Sequence, residues 1–190
     1  MEARLQLIQE MIEKTKRSAA ESGTFLILWG WLVFIGCLLQ YGLIFMNLSR
    51  YSFIMWGALV LMGAIYSIRE TRKLERSSGV QTYSGAMLTS LWQACGVGII
   101  LIVFVGTPFG MLPISAMIPV IATIAGIGTF VSGRVIEETW LVVGGIAWWA
   151  GAMLMMFLPF NLHILVMALI IIPGYLAPGY KLKDNAVSPV

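Results

Sequence analysis

Six long apolar runs, none containing Lys, Arg, Asp or Glu, constrain this chain more than any other feature. They cover about Thr24–Phe45, Tyr51–Ile68, Ala86–Gly106, Met111–Ser132, Thr139–Leu158 and Phe160–Tyr180. Roughly 20 apolar residues in a helix cross the hydrocarbon core of a bilayer. Within hydrocarbon, a helix satisfies the backbone N–H and C=O groups of a run internally. The runs therefore predict an all-α, polytopic membrane protein with six transmembrane helices in three hairpins.

The composition also indicates that lipid is the solvent. Of the 190 residues, 59% are hydrophobic and 11% are charged, whereas soluble domains carry about 25% charged residues. We divide the chain into an amphipathic cytoplasmic or interfacial helix over residues 1–22, a six-helix transmembrane domain over residues 23–180 and a cytoplasmic tail over residues 181–190.

The segment over residues 2–22 carries charges and apolar residues at helical spacing. Ile8 and Ile12 fall near one face, and Glu10 precedes Lys14 by four residues, an order that stabilises a helix. This pattern predicts an amphipathic helix lying on the inner leaflet. The alternative is a docking helix for a cytoplasmic partner or for a second copy of the chain.

The distribution of basic residues predicts the orientation. If the N-terminus is cytoplasmic, every one of the 12 Lys and Arg residues except Arg50 lies on the cytoplasmic side. The positive-inside rule therefore predicts that both termini are cytoplasmic. The net charge of +3 would suggest nucleic acid in a soluble protein, but in a membrane protein the positions of the basic residues matter more than their sum. We therefore expect no nucleic-acid partner.

Two groups of charged residues form the predicted cytoplasmic face. One lies between the second and third spans and the other between the fourth and fifth: Arg69, Arg72, Lys73 and Arg76, then Arg134, Glu137 and Glu138. One interpretation is a docking or gating cluster for a protein partner or a homo-oligomer. The other is that Arg134, Glu137 and Glu138 only form the polar turn between two spans. Anionic lipid is also expected here, at about 1 kcal/mol per basic residue.

Three residues within the spans suggest an intramembrane pocket. Trp148 and Trp149 lie near the middle of the fifth span, although Trp is usually enriched at the interface. Gln93 is a polar residue near the start of the third span. These side chains could line an apolar ligand pocket, or they could serve packing and interhelical hydrogen bonding.

Small residues recur at spacings that allow close contact between helices. Gly126, Gly133 and Gly151 each follow another small residue by four positions, and such spacing allows backbones to approach in lipid. We expect them to pack helices within the bundle first and to support dimerisation second.

The hairpins also share a weak threefold repeat. The first helix of each has Trp near its cytoplasmic end, at Trp29 and Trp31, at Trp92 and at Trp140. Inverted or parallel repeats build transport pathways in some transporters, but gene duplication followed by packing also explains the pattern.

Pro173 and Pro178 within the sixth span predict a break or an early end of that helix.

Motifs for catalysis, metals and nucleotides are missing from the sequence. It contains no metal-spaced Cys or His pair, no phosphate-binding loop and no nucleophile motif. Its one histidine, His163, fits an ordinary polar contact better than a haem ligand. We expect no enzyme activity and no cofactor.

The stretches "LILWGWLVFIGCLLQYGL", "GIGTFVSG" and "IIPGYL" resemble a family of six-span bacterial integral membrane proteins of unknown function, of Bacteroidetes type. The resemblance implies the bacterial cytoplasmic (inner) membrane and no particular activity.

From all these features we expect a non-enzymatic membrane module, regulatory or partner-binding, with a basic cytoplasmic face. The alternative is a small transporter or channel for an apolar or neutral solute.

Overall fold

The structure is a computed structural model that describes the backbone of residues 2–78 and 83–187 and the side chains of residues 23–73 and 85–185. Its helices are α1 (Glu2–Phe45), α2 (Ser52–Ser78), α3 (Tyr83–Leu101), α4 (Ile114–Val135), α5 (Thr139–Phe157), α6 (Phe160–Ile171) and α7 (Ala177–Val187). A 3-10 turn over Ser49–Tyr51 precedes α2. Two π-helical turns extend α3 over Ile102–Gly106 and join α6 to α7 over Ile172–Leu176.

Six helical segments of the described chain are long and apolar enough to cross a membrane. They are Gly23–Phe45, Ser49–Lys73, Gly85–Gly106, Ile114–Val135, Thr139–Phe157 and Phe160–Asn185. The predicted all-α fold with six spans is confirmed, and the chain is a multi-pass membrane protein. The apolar helices are therefore surrounded by the lipid bilayer.

The helix boundaries differ from the predicted divisions at both ends of the chain. Helix α1 runs from Glu2 to Phe45 without a break at residue 22. The side chains of residues 1–22 lie outside those described, so the interfacial position of this segment stays a prediction. At the other end, α7 continues past the predicted boundary at residue 180 to Val187, and Leu182 is buried.

The centre of the bundle is formed by α5 and by the chain from α6 to α7. Helix α4 packs along α5, whereas α1 packs along α6 and α7. Leu141, Trp148 and Met155 of α5 are at most 1% exposed, as is Ile171 of α6. Because lipid is as apolar as these side chains, close packing rather than hydrophobic burial holds such helices together.

Helices α2 and α3 lie at the periphery. Helix α2 packs on α1, and α3 packs on α4. Only 6% of the apolar window of α2 and 11% of that of α3 is buried, against 50% for the last span. The remaining apolar surface of both helices therefore faces the membrane.

The prolines of the last span do not end it. Pro173 lies at the start of the π-helical turn, and the Ala177 N–H donates to the Ile172 carbonyl oxygen. Pro lacks an N–H and disturbs the α-helical pattern, and a π-helical turn accommodates that disturbance within a continuing helix. The predicted interruption is thus a local change of helical pitch.

Candidate functional site

The basic end of α2 is exposed. The side chains of Arg69, Arg72 and Lys73 are exposed, and none of them forms an ion pair with a carboxylate of the described side chains. Arg76, the fourth predicted member of this cluster, has a side chain outside those described. The three described cations are therefore available to an anionic partner or headgroup.

The turn between α4 and α5 is tightly organised by its backbone. The Glu138 N–H donates to the Gly133 carbonyl at 2.9 Å. Glu137 has a left-handed backbone conformation with φ of 59°, which is uncommon for a residue with a side chain. These features close the chain reversal that brings α5 back along α4.

The charged side chains of this turn have few partners. Arg134 and Glu137 are exposed. Glu138 accepts a long hydrogen bond of 3.5 Å from Asn185, which links the turn to α7. Helix α2 packs on α1 rather than along α4 or α5, so the structure does not combine the two predicted charge groups into one compact cluster.

The three residues of the predicted intramembrane pocket face different surroundings. Trp148 is 1% exposed and packs against Tyr175, with ring centroids 4.9 Å apart. Trp149 lies on Phe130 and donates to the Thr123 carbonyl at 3.3 Å. Gln93 is exposed on the outer side of α3. The two tryptophans serve helix packing here, and Gln93 does not join them.

A buried aromatic cluster instead forms around Tyr175 in the second π-helical turn. Its ring contacts Trp92 and Trp148, at centroid distances of 6.0 and 4.9 Å. Its hydroxyl lies near Thr129 of α4, whose own hydroxyl donates to the Ala125 carbonyl of that helix at 2.8 Å. The sequence interpretation missed Tyr175 and treated Thr129 only as a small packing residue four positions before Gly133, because an apolar run does not indicate which of its residues face each other. The polar residues within otherwise apolar stretches were the available signal.

Two buried nitrogen atoms, one near the centre of the bundle and one near the reversal between α5 and α6, have no partner among the described residues. They are Nε1 of Trp148 and Nδ1 of His163. The other ring nitrogen of His163, Nε2, lies 3.0 Å from the Leu158 carbonyl oxygen. His163 therefore makes the ordinary polar contact that the sequence favoured, within the chain reversal between α5 and α6.

The first two hairpins share one interhelical arrangement. Trp29 of α1 donates its indole N–H to Ser67 of α2 at 3.2 Å, and Trp92 of α3 donates to Ser132 of α4 at the same distance. In each case the indole also covers a glycine four residues before the serine, Gly63 or Gly128. These matching contacts support the repeat for two of the three hairpins.

The glycines singled out in the sequence lie at close helix contacts. A Cβ added to Gly126 would lie 2.5 Å from the Trp149 ring, and one added to Gly133 would lie 2.7 Å from the Val142 nitrogen. At Gly151 it would lie 2.5 Å from the Ile170 side chain. All three contacts occur within the bundle, which is the first of the two roles considered for them.

No group of three or more His, Cys, Asp or Glu residues within the described part of the chain could hold a metal ion. Cys37 and Cys95 are both free and buried. Cys95 contacts the Ile124 carbonyl oxygen at 3.9 Å across the α3–α4 interface. The thiols therefore serve as packing groups in this fold.

Comparison with protein-family models, with curated proteins and with solved structures finds no match to this chain. The resemblance to the bacterial membrane-protein family therefore rests on the quoted residues alone.

Proposed function

We propose that the chain is a non-enzymatic module of a bacterial cytoplasmic membrane, with both termini in the cytoplasm, that binds another membrane protein through α2. The part of that protein that best matches α2 is a transmembrane helix followed on the cytoplasmic side by an acidic segment. Such a partner would match the apolar face and the basic end of α2 together.

The position of α2 is the observation that carries this proposal. Helix α2 packs mainly on α1, with one further ring contact between Phe53 and Phe104. Its apolar side chains are widely exposed, with Ile54 at 68% and Leu61 at 61%. Lipid alone would satisfy this apolar surface, so the apolar face is not specific. The three cations that follow it, which are unpaired among the described side chains, supply the specificity.

Charge complementarity at this end of the helix would fix the partner and its orientation. Complementary charges at the rim of an interface mainly provide specificity and steer association. Arg69 and Arg72 are three residues apart and Lys73 is four from Arg69, so the three side chains lie along one side of the helix. A run of two or three carboxylates beside a partner span would match this spacing.

Native mass spectrometry of the protein, extracted gently from its own membrane, tests the proposal. We expect a stoichiometric second polypeptide, and we expect its loss when Arg69, Arg72 and Lys73 are all replaced by Gln. The matched control replaces three other exposed cations, Arg134, Lys181 and Lys183, by Gln and should retain the polypeptide. The absence of any partner, or an equal loss in both triple variants, would contradict the proposal.

Transport of a neutral solute is the second candidate. The observation favouring it is the π-helical turn over Ile172–Leu176, because π-helical turns occur frequently at functional sites. This turn also places the Tyr175 hydroxyl beside Thr129 within the bundle. Retention of a stoichiometric small molecule, lost on Tyr175→Phe and without any partner polypeptide, would favour transport over partner binding.

A further inference from the structure

A groove of about 520 Å³ lies between α3 and α4, at the end of the bundle where α3 begins and α4 ends. Its lining combines one end of each helix: Ala86, Met87, Leu88, Ser90, Leu91, Val131 and Val135. Met87 and Ser90 of the lining are exposed, and both belong to the third span, so this side of the groove faces the membrane.

The chemistry of the lining selects for hydrocarbon. Six of the seven lining residues are apolar. The hydroxyl of the seventh, Ser90, donates to the Ala86 carbonyl of its own helix at 2.9 Å. A polar solute would therefore lose its hydration here and regain little hydrogen bonding. A methylene chain from the surrounding lipid has no hydration and no hydrogen bonds to lose when it enters the groove.

One exposed cation, Arg134, lies within one helical turn of the α4 residues that line the groove. Arg134 falls three residues after Val131 and one before Val135, so it lies in the same turn of α4 as the groove lining. Its side chain is exposed and forms no ion pair among the described residues. An arginine binds a phosphate through two parallel hydrogen bonds.

An apolar groove ending beside an unpaired arginine matches an amphiphile with an anionic head. We propose that the groove between α3 and α4 holds one acyl chain of an anionic phospholipid, whose phosphate is bound by Arg134. Basic pockets between transmembrane helices at the cytoplasmic surface bind lipid headgroups in this way. The site shares no residue with α2, so it does not depend on the partner proposed for that helix.

Native mass spectrometry of delipidated protein tests this site, with added phosphatidylglycerol or phosphatidylcholine as the probe. We expect preferential retention of phosphatidylglycerol, and we expect Arg134→Gln to lower that retention about fivefold, which corresponds to about 1 kcal/mol per basic residue. Phosphatidylcholine carries the same phosphate beside its own cationic choline, so its retention should fall less. Arg50→Gln, at the opposite end of the bundle, is the matched control and should leave both lipids bound as before.

A second pair of variants tests the groove itself. Ala86→Phe and Ser90→Phe each place a ring in the groove, and both should lower retention of the two lipids alike. Ser90 is exposed, so replacing it leaves the packed contacts between helices intact. The Ser90→Phe variant therefore still tests the groove if Ala86→Phe prevents folding. An anionic preference that survives Arg134→Gln would overturn the proposal, as would unchanged lipid retention in Ser90→Phe.

Discussion

Trp92 on α3 donates its indole N–H to the Ser132 hydroxyl on α4 across 3.2 Å. Ser132 in turn donates to the Gly128 carbonyl of its own helix at 2.7 Å. The indole covers Gly128, where an added Cβ would lie 3.1 Å from the ring. Glycine thus lets the indole approach α4, and serine fixes its position. This relationship anchors the peripheral helix α3, and its counterpart between Trp29 and Ser67 anchors α2.

Removing the serine of either pair should weaken the hairpin measurably. Ser132→Ala and Ser67→Ala each leave an indole N–H without its acceptor, and interhelical hydrogen bonds in membranes contribute about 0.6 to 1.7 kcal/mol. We expect a loss of that size in the free energy of unfolding, measured in bicelles or by titration with denaturing detergent. Ser90→Ala is the control, since Ser90 bonds only to its own helix. Equal losses in all three variants would contradict a specific interhelical role.

Adding one methyl group at Gly145 should be far more damaging than at Gly96. A Cβ at Gly145 would lie 2.6 to 2.8 Å from the Phe130 Cβ and backbone, whereas nothing lies within 4 Å of one at Gly96. Overpacking costs about 1–3 kcal/mol, and backbone atoms cannot move aside as a flexible side chain can. We expect Gly145→Ala to lower the thermal midpoint in detergent and Gly96→Ala to leave it within error. A stable Gly145→Ala protein would show that α4 and α5 do not approach this closely.

The Tyr175 hydroxyl should contribute to stability through Thr129. Tyr175→Phe removes that hydroxyl without removing the ring, so the aromatic contacts with Trp92 and Trp148 remain. We expect a loss of about 1 kcal/mol in the free energy of unfolding. Tyr66→Phe, at an exposed position of α2, should have no effect. Thr129→Val should cost about as much as Tyr175→Phe, and the double variant should cost less than the sum. Additive effects would mean that the two hydroxyls do not interact.

Site-directed labelling should place Ser49 and Asp184 on opposite sides of the membrane. Both residues are exposed, and an odd number of spans separates the turn containing Ser49 from the end of α7. Ser49→Cys should react with an impermeant maleimide on intact cells, whereas Asp184→Cys should react only after the membrane is opened. The native thiols of Cys37 and Cys95 are buried and should give little background. Labelling of both positions from one side would contradict the count of six spans, and the reverse pattern would contradict the proposed orientation.

The aromatic cluster shows where sequence reasoning reaches its limit in a membrane protein. In a soluble helix, the face that meets the core is more apolar than the face that meets water. In lipid both faces are apolar, so the sequence did not distinguish buried Trp148 from half-buried Trp149, or indicate that Gln93 is exposed. The small residues carried more information, because the close approach of two helices requires them at the contact.

By itself, the sequence determined the all-α class, the six spans and the approximate positions of the turns. The physical reason is that hydrocarbon requires an apolar, internally hydrogen-bonded helix of a minimum length, and this requirement acts on each segment separately. Only the tertiary structure decided that α2 and α3 lie at the edge, that Trp92 meets Ser132, and that α6 continues into α7 through a π-helical turn. Those features depend on which helices touch, and contacts between helices in lipid are set by the shape of their surfaces rather than by a difference in polarity.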